Sequence, residues 1–232
     1  MLVAVLSDIH ANLAAFEAVL ADADRRGCDT FVCLGDTVGY GPDAQRCLKI
    51  VRERCVAIVQ GNHDAAVATG NVEGLPRDGA AAATLHHLQL DTNDRAWLAG
   101  LPLTTTFAGA TLVHATPERP EHWMRVESYR VAMAQFDHFD TPICFAGHTH
   151  APAILSAKIG QFRVAPGGRF FVNVGSVGQP RDNDPRAAYG VFDPDTVTYE
   201  LVRVPYDIER TRRRIAEEGL PDSLGRRLAT GR

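Results

Sequence analysis

The sequence predicts an α/β protein: a parallel sheet with crossover helices, and a second, more antiparallel sheet stacked on it. Three features lead there. Five short runs, LVAVL, FVCL, VAIV, TLV and ICFA, are rich in Val, Ile, Leu and Phe, and each closes on Gly or a polar residue, the pattern of buried strands. The first three alternate with stretches of helical spacing, the β-α-β-α-β order of a parallel sheet. From Ala153 onward the chain turns to short strand-like stretches joined by close turns.

Taken in order, Met1–Leu6 is apolar without a basic leader and Asp8 ends it early, so it reads as a first strand rather than a signal peptide. Asn12 to Ala23 repeats apolar residues at Leu13, Phe16, Val19 and Leu20, a helix that Gly27 ends. Asp43 to Arg54 is a second helix with Leu48 and Val51 inward. Residues 65–103 are Ala-rich and read as a helical insert of two or three helices packed over one side of the site. Leu103–Phe107 and Thr111–Val113 form a hairpin across Ala108-Gly109-Ala110. A helix around Ser128–Phe136 follows. The later strands are expected at Ala153–Ala157, Phe162–Ala165, Phe170–Val174, Ala188–Phe192 and Val197–Val202. The tail from Asp207 is helical, and its Arg210, Arg212, Arg213 and Arg214 read as a solvated face.

The 232 residues are 45% hydrophobic, enough for one sizeable core, and a single domain over 1–232 is expected. A formal charge of −4 implies no basic face for duplex nucleic acid. No stretch approaches the roughly 20 apolar residues of a membrane span. Cys28, Cys33, Cys47, Cys55 and Cys144 are odd in number and lack CxxC spacing, so reduced thiols and a cytoplasmic setting are expected. A homo-oligomer is left open.

Each of the five apolar runs leads to a residue that can hold a metal: Asp8 and His10, Asp36, Asn62, His114, and His148 and His150. In open α/β sheets the ligand site lies beyond the carboxyl ends of the strands. Asp8 and His10 are two apart, so on extended backbone both point the same way and can serve one ion. His148 and His150 repeat that spacing, and Asp36 is the natural bridge between two ions. A lone Asp at a strand end is more often a cap, and a lone His more often a core residue; placement after five separate runs is what singles these out. Oxygen and nitrogen donors without thiolate suit two divalent transition-metal ions, with Mn²⁺ favoured over Fe, Zn²⁺, Ni²⁺ and Co²⁺. Two such cations outweigh the two carboxylates, so the site attracts an anion such as phosphate. Metals roughly 3.5–4 Å apart activate water and clamp the attacking and leaving oxygens of an in-line displacement.

The succession of D-x-H, GD, GNHD, an isolated His and GHTH resembles the calcineurin-like metallophosphoesterase superfamily, over residues 1 to about 180. The resemblance implies a four-layer αββα sandwich of two mixed sheets flanked by helices. It implies one metal on Asp8, His10, Asp36 and His150, and a second on Asp36, Asn62, His114 and His148. His63 would be the general acid and Asp64 would orient its ring. The Asp-Arg-Gly or Asn-Arg-Gly of Ser/Thr phosphatases and symmetrical dinucleoside tetraphosphatases is missing: Tyr40 stands where their phosphate-binding Arg would be, and GNHD replaces GNHE. The stretch from Asn173 to Arg181 is instead similar to the small bacterial and archaeal phosphodiesterase-like branch. Arg181, Tyr40 and Asn12 are candidate substrate-binding residues: Arg181 for a bidentate phosphate contact, Tyr40 for a pocket wall, and Asn12 more as a hydrogen-bonding neighbour of the site than as a ligand. His86, His87, His122 and His138 read as surface or packing residues.

The expected activity is hydrolysis of a small phosphate ester, with a phosphodiester, such as a nucleotide, favoured. The alternatives are a phosphomonoesterase or protein phosphatase with an altered phosphate clamp, and a non-catalytic metal-dependent binding scaffold. The intact ligand set and His63 weigh against the scaffold.

Overall fold

The computed structural model describes residues Met1 to Arg232. Strand β1 (Val3–Leu6), α1 (Leu13–Arg25), β2 (Thr30–Cys33), α2 (Ala44–Arg54) and β3 (Cys55–Ile58) follow the expected alternation. Asn12 starts α1 by accepting the Ala15 amide at 3.2 Å, and the helix buries Leu13, Phe16, Val19, Leu20 and Ala23. The insert is three helices, α3 (Asn62–Thr69), α4 (Arg77–Gln89) and α5 (Thr92–Ala99). α3 begins at Asn62, so the GNHD motif occupies a helix start. Strands β4 (Thr104–Phe107) and β5 (Ala110–Val113) form the hairpin; its two-residue loop has φ of 47° at Ala108 and 76° at Gly109. Positive φ at both positions gives the loop a twist that matches its strands.

After α6 (Tyr129–Ala134) and a 3-10 turn over Gln135–His138 come β6 (Ile143–Ala146), β7 (Ala153–Ser156), β8 (Phe170–Asn173), β9 (Ala187–Asp193) and β10 (Thr198–Val204). Helices α7 (Ile208–Glu217) and α8 (Asp222–Leu228) close the chain. Arg210, Arg212 and Arg214 pair with Glu17, Glu209 and Glu218 on a partly solvated face.

The strands make two five-stranded mixed sheets, β10-β9-β1-β2-β3 and β4-β5-β6-β8-β7. Two expectations are corrected. The late strands do not all enter the second sheet: β9 runs antiparallel along β1, β10 pairs antiparallel with β9, and the two complete the first sheet. Alternation reports that a face is buried and not which sheet buries it. Phe162–Ala165 is no strand; it lies in the β7–β8 loop, with Phe162 81% exposed.

The layers follow from period-two burial. Val3, Val5, Val32 and Leu34 face Leu112, Phe145, Phe170 and Val172 between the sheets. Ala4, Leu6, Phe31 and Cys33 face outward onto Leu13, Phe16, Cys47 and Val51. On the far side Val113, Cys144 and Phe171 pack under Phe136 and Phe139. Apolar runs without alternation are thus strands covered on both faces. All five cysteines are free thiols, four of them buried. No helix is long and apolar enough to cross a membrane.

The loops after β2 and β3 touch closely: a Cβ on Gly61 would run into the Asp36 carboxylate and amide. Gly61→Ala is expected to cost about 1–3 kcal/mol, the range for overpacking a tight contact. A thermal midpoint equal to that of the parent protein would contradict this close approach.

Candidate metal centre

All the sequence-predicted ligands lie beyond strand ends, and there the backbone leaves the extended region. Asp8, His10, Asp36, His148 and His150 have φ of 52°, 49°, 53°, 65° and 61°. The left-handed conformation costs an L-residue about 1–2 kcal/mol. Hydrogen bonds between the loops hold it in place: Asp8 N–H to Gly35 O at 3.0 Å, His10 N–H to Asp36 O at 2.9 Å, and Gly147 N–H to His114 O at 2.9 Å. Neither pair therefore sits on extended backbone. Asp8 and His10 converge across turns, whereas His148 and His150 diverge into different clusters.

Two groups of donors result, Asp8 with His10 and His150, and Asp36 with His114 and His148; within each the donor atoms lie within 4.8 Å of one another. Asp36 reaches both: its Oδ2 is 3.6 Å from His10 Nε2 and 3.3 Å from His114 Nε2. Asn62 Oδ1 joins the second group, 3.2 Å from His114 Nε2.

The donor chemistry fits cations. Nδ1 of His10, His150 and His114 lies on the carbonyls of Val38, Gln179 and Leu34 at 3.0, 2.6 and 2.8 Å. Each Nδ1 must carry the hydrogen, so a ring that is neutral turns its Nε2 lone pair to the site. His10 Nε2 and His150 Nε2 then face each other at 3.1 Å beside Asp8 Oδ1, which has no hydrogen-bond partner. Acceptors turned on one another in a dry site repel unless a positive charge lies among them. Burial holds the His10 and His150 pKa values below the usual histidine range and brings that of His148 down to about 3. At His114 burial also disfavours charge, but Asp36, Asp8 and the Leu34 carbonyl outweigh it and raise the value to about 9. Asp36 is held well below the carboxylate range because His114, His63 and His10 outweigh its burial.

Residues 1–197 match the model of the calcineurin-like phosphoesterase superfamily domain. The chain belongs to this superfamily of metal-dependent phosphoesterases. It is 35% identical over its full length to an uncharacterized protein, MJ0912, of Methanocaldococcus jannaschii, covering 98% of that relative. A crystal structure of a metallophosphoesterase from Sphaerobacter thermophilus shares 38% identity, with a TM-score of 0.90 over 100% of this chain and 99% of that one. The hypothetical protein PH1004 of Pyrococcus horikoshii has the same fold at 20% identity, with a TM-score of 0.80 over 100% of this chain and 98% of its own.

In this calcineurin-like protein the residues around the clusters differ from expectation in two places. Asp64 does not touch the His63 ring. Its Oδ2 accepts from Asp36 N–H at 2.7 Å and Gly61 N–H at 3.1 Å, its Oδ1 from Val38 N–H at 3.3 Å, and it caps α3. Consecutive helix positions diverge by about 100°, so neighbours in GNHD serve different partners. Asn12 is likewise outside the cavity: its amide donates to Gly178 O at 2.8 Å and its oxygen accepts from Thr211 at 2.7 Å, tying α1 to α7.

Tyr40, His63 and Arg181 do meet, on the wall of a cavity of about 540 Å³ that also exposes Asp36, Asn62, His148 and His150. The His63 ring lies 5.0 Å from that of His10, with Nδ1 buried and unpartnered. Arg181 lies over the Tyr40 ring at 5.3 Å and donates to Gln179 Oε1 at 2.8 Å, its Nε buried without a partner. The exposed His122 and the Trp123 indole, edge-on to His114 at 5.8 Å, form the opposite rim. His138 is exposed, and His87 bonds the Val67 carbonyl at 2.7 Å. The residue that sequence reasoning undervalued is His86, fully buried, with both nitrogens bonded to backbone at 3.0 and 2.9 Å. Its signal was the face Gly79, Ala82, Ala83, His86, three small residues and one polar ring at i, i+3, i+4 and i+7.

Two outcomes are expected. Asp36→Asn lowers the occupancy of both clusters, because one carboxylate faces both; full loading of stripped and reloaded Asp36→Asn protein, read by elemental analysis, would contradict it. The second concerns His86, whose burial lowers its pKa from 6.5 to about 4. The unfolded ring takes up a proton first as pH falls, so this contribution to stability is complete above pH 6.5 and declines toward pH 4. Denaturant titrations should show that decline, and His86→Asn should flatten it; identical slopes would contradict a neutral buried ring.

Proposed function

We propose that this protein is a binuclear-metal phosphodiesterase acting on a small ester of nucleotide size. The observation that carries the reading is the His63 ring, which lines the cavity beside both clusters with its Nδ1 buried and unpartnered. A purely structural metal site gives such a ring no task. One ion would take Asp8, His10, Asp36 and His150, the other Asp36, Asn62, His114 and His148. When bound, two divalent ions would lower the pKa of a water and offset phosphate charge for in-line displacement.

The chain supplies the rest. Arg181, already braced by Gln179 and the Tyr40 ring, offers donors to a non-bridging phosphate oxygen. His63 Nδ1 is pressed against Gly39, which leaves Nε2 to hand a proton to the departing oxygen. The cavity of about 540 Å³ exceeds what a bare phosphate fills, and Trp123 with Leu75 and Pro76 offers apolar wall to a second ester group. That room favours a diester over a monoester.

The test is turnover of bis-p-nitrophenyl phosphate beside p-nitrophenyl phosphate on protein stripped and reloaded with Mn²⁺, then with Fe, Co²⁺, Ni²⁺ and Zn²⁺. The diester should be the better substrate. His63→Ala should keep its metals and lose roughly 10²–10⁴-fold in rate on poor leaving groups. A monoester preference would make the protein a phosphomonoesterase, and no turnover with any of these ions would remove the hydrolase reading.

A further inference from the structure

His86 lies in the helical insert, away from every candidate ligand in sequence, yet it grips the loop that shapes the site. Its Nδ1 accepts the Gly39 N–H at 3.0 Å and its Nε2–H donates to the Gly41 carbonyl at 2.9 Å. Those two bonds bracket Tyr40, which has φ of 55°. A side chain in the left-handed region stays there only when its surroundings over-determine it. The Tyr40 ring packs on His63 at 4.4 Å between centroids, stands edge-on to His10 at 4.7 Å, and lies under Arg181 at 5.3 Å.

The same face of α4 also touches those rings directly. Gly79, two turns before His86, is so close that a Cβ there would meet His63 Cε1 and Tyr40 Cε1, each at 3.0 Å. Ala82 and Ala83 between them are fully buried. Small residues let the helix axis approach, and His86 then spans the remaining gap with a donor and an acceptor on opposite edges of one rigid ring. An apolar residue of equal volume would fill that gap and leave the Gly39 N–H and Gly41 carbonyl unpaired.

We infer that His86 is a positioning residue: through the Gly39-Tyr40-Gly41 turn it sets where the Tyr40 ring stands, and so where His63 and Arg181 meet the substrate. This rests on His63 being the proton donor. Losing either bond frees a strained turn, and Tyr40 moves away from His63. Misplacement of a reacting group by about 1 Å can cost ~10²-fold in rate, and a displaced donor costs most where the leaving group needs the proton.

The test uses His86→Asn, which keeps an acceptor but cannot span to Gly41, and Gly79→Ala, which presses a methyl on the two rings and leaves His86 intact. Both are compared with the parent as zinc-loaded protein carrying ¹⁵N-labelled histidine. The His63 side-chain signals should move in both variants while the metal content stays the same. In the Mn²⁺-loaded forms, turnover of a glycerol phosphodiester should fall about tenfold or more beyond any loss on bis-p-nitrophenyl phosphate. Unmoved His63 signals overturn the inference, as does an equal loss on both esters. Should His86→Asn fail to fold, His86→Gln takes its place and is read on the same His63 signals, with Gly79→Ala showing what direct pressure on the rings does. A parent protein that turns over neither ester defeats the phosphodiesterase reading, and the His63 signals still decide whether His86 positions that ring.

Discussion

Asp36 is the point on which the site closes. Its amide is held by Asp64, its Oδ1 accepts the His63 amide at 2.8 Å, and its Oδ2 faces the rings of His10 and His114. One residue thereby joins the loops after β2, β3 and β5 and the turn carrying His10. A buried carboxylate among neutral rings is stable only if charge or donors reach it. The His63 amide is one such donor, cations held on the facing rings would supply the charge, and the strand ends converge on this carboxylate. The steric intimacy at Gly61 and the left-handed backbone at Asp36 are consequences of that convergence.

The orientation of the donors is settled one layer further out. Val38, Gln179 and Leu34 carbonyls hold the Nδ1 hydrogens of three histidines, so the rings present lone pairs rather than N–H groups to the centre. None of these carbonyls belongs to a ligand residue. Backbone carbonyls outside the donor set decide how the donor rings face.

The helical insert belongs to the same logic. Its small-residue face brings α4 against Tyr40 and His63, and His86 converts that proximity into two directed bonds on the turn between them. The insert is a wall of the cavity and a brace for its floor. Helix α4, which carries no obvious catalytic motif, thus shapes the wall on which Tyr40 and His63 stand.

The sequence alone determined the class of fold and singled out the donors that the structure gathers at the candidate centre. Buried strands advertise themselves as apolar runs, and residues that break such runs at the sheet edge, Asp8, Asp36, His114 and His148, stand out because burial makes polarity costly there. It also located the hairpin at Ala108-Gly109 and the helices flanking the first sheet. Only the tertiary structure decided which sheet took β9 and β10, that Asp64 serves amides instead of the His63 ring, and that Asn12 ties helices together. These outcomes depend on backbone dihedrals at single residues and on partners 26 to 199 positions away, as in the Asp64–Val38 and Asn12–Thr211 bonds. Periodicity records that a residue is buried; which neighbour it meets is fixed when the loops close around a shared charge.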